Sequence, residues 1–167
     1  MMELRRLLWL PMLLLTLSPW TIAQDEARIS ELSDVDRQFM QQQRDLLGEL
    51  AQRHLGRQFS GDRDNDIALL QRLLDEQIVR QDQTRELQAM GIILGDLLAA
   101  QLNLHWVVYE DRVGRSRALR YKTSDNFLFP VTMISRRREV GNLTPVEEVY
   151  RKAQDALRPV LPTLPFS

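Results

Sequence analysis

The chain has no cysteine. Disulfides, thiolate metal sites and thiol redox chemistry are excluded, and stability has to come from an apolar core. Histidine is nearly as scarce. His54 and His105 are the only two in 167 residues, and neither stands in a spacing such as HxxxH that would hold a metal. His54 falls near a helix C-terminus, where the helix dipole accounts for it, and His105 opens a strand. Lysine occurs only at Lys122 and Lys152, and every other basic residue is arginine. Base composition explains that bias; the functional alternative is selection for planar, bidentate contacts to carboxylate or phosphate. The net charge is only −1, which excludes a strong global field for polyanions and argues against a nucleic-acid partner. There is no internal repeat. No apolar run beyond the first 23 residues approaches the roughly 20 residues needed to span a bilayer.

Those first residues read as a secretory signal peptide. Arg5 and Arg6 supply a positive start, and Leu7–Leu17 an apolar stretch broken only by Pro11 and Thr16. Thr21-Ile22-Ala23 puts small residues at the −3 and −1 positions. Cleavage after Ala23 would leave Gln24 as the new N-terminus and place the protein in the periplasm. The alternative is a retained anchor, which the shortness of the run and Ser18-Pro19 oppose. Removal of 1–23 leaves one domain-sized chain with a net charge of −2. We expect a single domain over 24–158 and a proline-rich tail over 159–167. Charge is uneven within it: Gln24–Leu104 carries a net −6 and His105–Gly141 a net +4.

Gln24–Leu32 is polar and reads as unanchored. Ser33 is an N-cap, with Asp34 and Asp36 in the first turn of a helix that ends at Gly56. Its apolar set is Val35, Phe39, Leu46, Leu47, Leu50 and Leu55, and the Gln41–Gln43 run reads as a solvated face. After a polar loop over Arg57–Asp66, a second helix carries Ile67, Leu70, Leu73, Leu74 and Ile78. Thr84 caps a third, Arg85–Leu102. His105–Asp111 and Arg115–Lys122 change to strand character and form an antiparallel hairpin around a Val113-Gly114 turn. Phe127–Phe129 adds a short third strand. Pro130 opens either a helix that stops at Gly141, the preferred reading, or a strand. Thr144-Pro145-Val146-Glu147 carries the signature of a helix start. Its buried stripe is Val146, Val149, Tyr150, Ala153 and Leu157, and Pro159, Pro162 and Pro165 forbid continuation. The fold class is α+β: several helices packed on a small antiparallel hairpin or three-stranded sheet.

Candidate chemistry is sparse. Asp62, Asp64 and Asp66 alternate like the start of a calcium loop, but Ile67 stands where glycine is needed and Leu73 where glutamate is needed. A helix entry stacked with anions explains them. Glu110 and Asp111 are adjacent on a strand and so point to opposite faces, unable to share a substrate; a carboxylate mechanism would need Asp96 or Asp125 as partner. Arg136, Arg137 and Arg138, with Arg115, Arg117 and Arg120, form a basic middle. It reads either as a docking patch for an anionic envelope polymer or acidic partner, or as a helix end whose cations offset the dipole. Gly91 and Gly95 lie one turn apart inside a helix, where each costs about 1 kcal/mol against alanine. Close approach of another backbone, such as the hairpin, would compensate.

Several stretches together resemble a bacterial family known as domain of unknown function 3806. They are Leu87–Gly91 to Gly95-Asp96, Trp106–Asp111, Gly114, Ala118–Tyr121, Phe129-Pro130 and Ile134 through Gly141, a run of about 70–150. The resemblance rests on Gly91, Gly95, Trp106, Gly114, Pro130 and Gly141, which mark a fold more than a chemistry. It implies a compact bacterial domain of the kind found in exported or small soluble proteins, with no reaction, cofactor or catalytic residue attached. The sequence therefore points to an exported, non-catalytic binding domain with an envelope protein or anionic envelope polymer as partner. A cell-wall-active or peptidase-like hydrolase using carboxylates, and an immunity-type inhibitor of a secreted toxin, are the alternatives.

Overall fold

The computed structural model describes residues 26–161. The predicted leader over 1–23 and the end of the tail over 162–167 lie outside the described residues. Helix α1 (Asp34–Leu55) begins where Ser33 and Asp36 cap each other. The Ser33 hydroxyl accepts from the Asp36 amide at 3.2 Å, and the Asp36 carboxylate accepts from the Ser33 amide at 3.1 Å. Gly56, at φ 60°, closes the helix in the left-handed conformation. The buried face is Asp36, Met40, Gln43, Leu47 and Ala51, with the expected Phe39, Leu50 and Leu55 partly buried against the core; Val35 departs from expectation and is 74 % exposed. Gln41 and Gln42 are solvated, but Gln43 is buried. The paired, buried carboxylate of Asp36 anchors the start of the helix.

Helix α2 (Arg63–Asp75) starts earlier than the loop reading allowed, because Asp62 caps it by accepting from the Asn65 amide at 2.8 Å. Asp66 is buried and accepts from the amides of Ser60 and Gly61, both at 2.9 Å, so the acidic entry ties down the preceding loop. The helix stops before Ile78. Helix α3 (Thr84–Leu102) is the centre of the molecule. Leu87, Ala89 through Gly95, Leu97 and Leu98 are all buried, the pattern of a helix covered on nearly every side. Thr84 is its first residue rather than its cap, and its hydroxyl bonds to Glu139 instead.

The sheet has four antiparallel strands, one more than expected: β1 (Arg28–Glu31), β2 (Leu104–Asp111), β3 (Gly114–Tyr121) and β4 (Phe127–Leu128), in that order across it. Strands β2 and β3 form the hairpin, with Asp111 opposite Gly114 and Trp106 opposite Leu119. The loop residues are therefore Arg112 and Val113. Asp111 Oδ1 accepts from the amides of Val113 (2.8 Å) and Gly114 (3.1 Å), fixing the turn. Strand β4 is only Phe127–Leu128, paired to Arg120 and Leu119. Strand β1 lies in the stretch read as unanchored and pairs with Val107–Glu110. It is an edge strand, held by main-chain bonds, and needs no alternating apolar pattern.

The sheet's inner face packs on α3. Leu104, Leu119, Tyr121 and Leu128 join the large core with Leu87, Met90, Leu94 and Leu98, while Val108 meets Leu32, Met40 and Ile92 in a smaller cluster under α1. A 3-10 turn at Pro130–Thr132 and helix α4 (Ser135–Glu139) follow β4, so Pro130 does start a helical segment, closed by Gly141 at φ 74°. This turn, not the hairpin backbone, lies on Gly91: a methyl group there would overlap the carbonyl oxygens of Pro130 and Val131. Gly95 lies under the Trp106 ring, whose atoms a methyl group would meet. Helix α5 (Val146–Leu157) buries the expected Val146, Val149, Tyr150, Ala153 and Leu157. Its N-cap is Pro145 rather than Thr144. The Val146 amide is satisfied by Gln71 Oε1 at 2.9 Å, which stitches α5 to α2.

Candidate functional site

Alternation along β3 sends Arg115, Arg117, Leu119 and Tyr121 to the helix-facing side of the sheet. Leu119 and Tyr121 enter the core. Arg115 and Arg117 lie nearer the hairpin tip and converge on Asp36 of α1. Arg115 donates from Nη1 to Oδ1 at 2.9 Å and from Nη2 to Oδ2 at 2.6 Å, a bidentate pair. Arg117 Nη2 stands 2.9 Å from Oδ1. The Asp36 side chain is only 2 % exposed. Its bonds to Arg115 hold the carboxyl well below the usual range; burial opposes this, and the Ser33 donors and the Arg117 charge reinforce it. The Arg117 guanidinium sits 4.2 Å from the Phe39 ring centroid. Its Nε is buried with no partner among the described residues. One buried carboxylate thus serves two guanidiniums.

A groove of about 500 Å³ opens beside this cluster. Arg115, Arg117 and Asp111 line it from the hairpin, and Phe129, Val131 and Arg136 from the segment after β4. Tyr109, opposite Ser116 and so on the other face of the sheet from Arg115 and Arg117, also lines the groove and meets the rings of Phe127 and Phe129 edge-on at 5.1 and 5.3 Å. Arg136 is exposed and has no hydrogen-bond or ion-pair partner among the described residues.

The six arginines of the basic middle therefore divide. Arg115, Arg117 and Arg136 share the groove. Arg120 donates to the carbonyls of Ser124 (2.7 Å) and Thr123 (2.8 Å), holding the loop before β4. Arg137 donates to the Met133 carbonyl of its own segment. Arg138 is buried, reaches the Thr144 carbonyl at 3.4 Å and lines a separate cavity with Leu74, Val79 and Leu143. Burial pushes its pKa down against the opposing charge of Asp75. The three neighbours of one basic run thus face different surroundings, because a helix turns each successive residue through about 100°.

The carboxylates considered for catalysis are dispersed. Asp96 accepts from Arg44 at 2.7 and 2.9 Å and from Trp106 Nε1 at 3.0 Å. Asp111 holds the hairpin turn, while Glu110 and Asp125 are exposed. Of the four, only Asp111 lines the groove and only Asp96 lines the small cavity beside Phe59. His54 and His105 are exposed, at the end of α1 and the start of β2. Among the described residues no three His, Asp or Glu side chains gather as metal ligands, and no helix is long and apolar enough to cross a membrane. Asp36 is the residue that sequence reasoning undervalued as a first-turn anion. Two signals pointed to it: the Ser33-x-x-Asp36 capping spacing, and two arginines on one strand face that need a counter-charge.

The site is thus a cationic groove, lined in part by aromatic rings, on an α+β domain. Residues 66–150 match the family described as Domain of unknown function (DUF3806), and the chain belongs to that family. The match runs from α2 into α5 and includes the hairpin and Arg136; Asp36 lies before it. No curated protein matches the chain. A crystal structure from Bacteroides thetaiotaomicron VPI-5482, at 1.50 Å resolution, is similar with a TM-score of 0.70 and 17 % identity, over 77 % of this chain and 47 % of that one. The likeness is one of fold, and the chain spans about half the length of that structure.

Proposed function

We propose that this protein is an exported, non-catalytic binding domain of the bacterial envelope whose contact surface is the groove between the hairpin tip and Arg136. The observation that carries the reading is the convergence of Arg115, Arg117 and Arg136 with Tyr109 and Phe129 on one open cavity of about 500 Å³. Guanidiniums beside exposed aromatic rings are the side chains enriched where proteins make contacts. The partner that fits is an anionic component of the envelope. The leader-like segment ending at Ala23 supports the location.

The test is capture from an envelope extract by the wild type and by Arg136→Glu, an exposed and unpaired position. The variant loses the partner while its melting temperature stays unchanged. Equal capture by both proteins removes the groove from consideration. Export is checked separately: the periplasmic protein begins at Gln24, and an intact leader in the cytosolic fraction refutes that part.

A further inference from the structure

The groove runs along an open strand edge. Strand β4 covers only Leu119 and Arg120 of β3, and no other described strand lies on that side. The Tyr121 amide donates to the Asn126 carbonyl, which shows the odd-numbered residues of β3 turning their main-chain groups toward β4. Strict alternation then directs the N–H and C=O groups of Arg115 and Arg117 outward in the same sense. Among the described residues nothing pairs with them there. Four main-chain groups therefore face the cavity whose far wall is Phe129, Val131 and Arg136.

We infer that an acidic peptide segment of a partner protein binds this groove in extended form, adding a strand to the outer edge of β3 at Gly114–Ala118. This rests on the groove being the contact surface and names what occupies it. Five residues of β3 offer about 17 Å of edge. The main-chain groups of Arg115 and Arg117 supply affinity without sequence preference, and alternate side chains of the guest supply selectivity. Charge fixes the kind of guest. Arg136 has no counter-ion, and Arg115 and Arg117 share one carboxylate. Glutamate or aspartate at alternate positions meets these guanidiniums, and apolar side chains between them meet Tyr109 and Phe129. A second copy of this chain fits poorly, because edge-to-edge pairing of two β3 strands would bring Arg115 and Arg117 against their own kind.

The test uses the 24–167 protein and a pool of ten-residue peptides with Glu or Asp at alternate positions and Val, Ile, Tyr or Phe between them. The controls are the same pool with Lys for the acids, the acidic pool N-methylated at alternate amides, and polyphosphate. The acidic pool binds, and the Lys pool does not. Arg136→Glu weakens binding about tenfold, the effect of reversing one charge at a contact. Binding slows hydrogen exchange at the Arg115 and Arg117 amides, and N-methylation abolishes it. No binding by the acidic pool, equal binding by its N-methylated form, or unchanged exchange at those amides overturns strand addition. If polyphosphate alone binds and is lost in Arg136→Glu, the contact surface stands and the peptide guest falls. If Arg136→Glu also leaves envelope capture unchanged, the surface itself is wrong.

Discussion

Two glycines in the middles of helices should respond to the same substitution with opposite signs. Apart from the backbone of its own helix and its chain neighbours, Gly48 in α1 has nothing within 4 Å of the position a Cβ would take. Alanine there adds only helix propensity and reduces the freedom of the unfolded chain, so Gly48→Ala stabilises by about 0.5–1 kcal/mol. Gly91 in α3 has the same propensity to gain. Its Cβ, however, would overlap the carbonyl oxygens of Pro130 and Val131, and lie near the Val131 carbonyl carbon. These are backbone atoms of a 3-10 turn that starts with a proline, so no rotamer change relieves the clash. Overpacking costs about 1–3 kcal/mol in general, and an unyielding neighbour puts this case at or above the upper end. Against a gain of about 1 kcal/mol, Gly91→Ala loses about 2 kcal/mol net. The two variants then differ by about 3 kcal/mol, which separates their urea midpoints by about 1–2 M and their melting temperatures by about 6–12 °C. Urea unfolding followed by tryptophan fluorescence measures both. A Gly91→Ala protein as stable as the wild type would refute the account of why α3 tolerates a glycine there.

Asp36→Asn should cost about 2–3 kcal/mol at neutral pH, since it leaves two guanidiniums without their shared charge, moderated by the partial exposure of Arg115. The folded carboxyl is held low by Arg115, so its contribution is complete above the ordinary aspartate value of about 3.9 and is lost only as pH falls through the lower folded value. The stability gap between the two proteins should stay constant from pH 7 to 5; a gap that closes within that range in urea titrations counts against the assignment. Arg138 is buried with one long hydrogen bond, and removing a poorly compensated charge is often neutral or stabilising. Arg138→Met should therefore unfold within about 1 kcal/mol of the wild type or above it, and calorimetry showing a loss beyond about 2 kcal/mol would contradict this.

Much of the helical frame was legible because its signals are local. Ser33 and Gly56 bracket α1, Asp62 and its neighbours begin α2, and the 3.6-residue stripe from Val146 to Leu157 describes the buried face of α5. The hairpin was visible in Trp106–Tyr109 and Gly114 for the same reason. Strand β1 was not, since Arg28-Ile29-Ser30-Glu31 carries no apolar alternation and exists only because β2 offers it an edge. The burial of Asp36 was equally hidden. Its counter-ions come from residues 79 and more positions away, and no local pattern reports them.

The basic middle shows the same division. Composition and order alone established that the charge from His105 to Gly141 is positive and carried mostly by arginine, that thiol chemistry is absent, and that the class is α+β. Which of those arginines act together was decided by the folded chain. Strand alternation turned Arg115 and Arg117 onto Asp36, and helical rotation separated Arg136 from Arg138. The short β4 left the β3 edge uncovered beside them. Neighbours along a chain share a composition, but only packing gives them a common surface, because side-chain direction depends on the element and a contact depends on what lies across it.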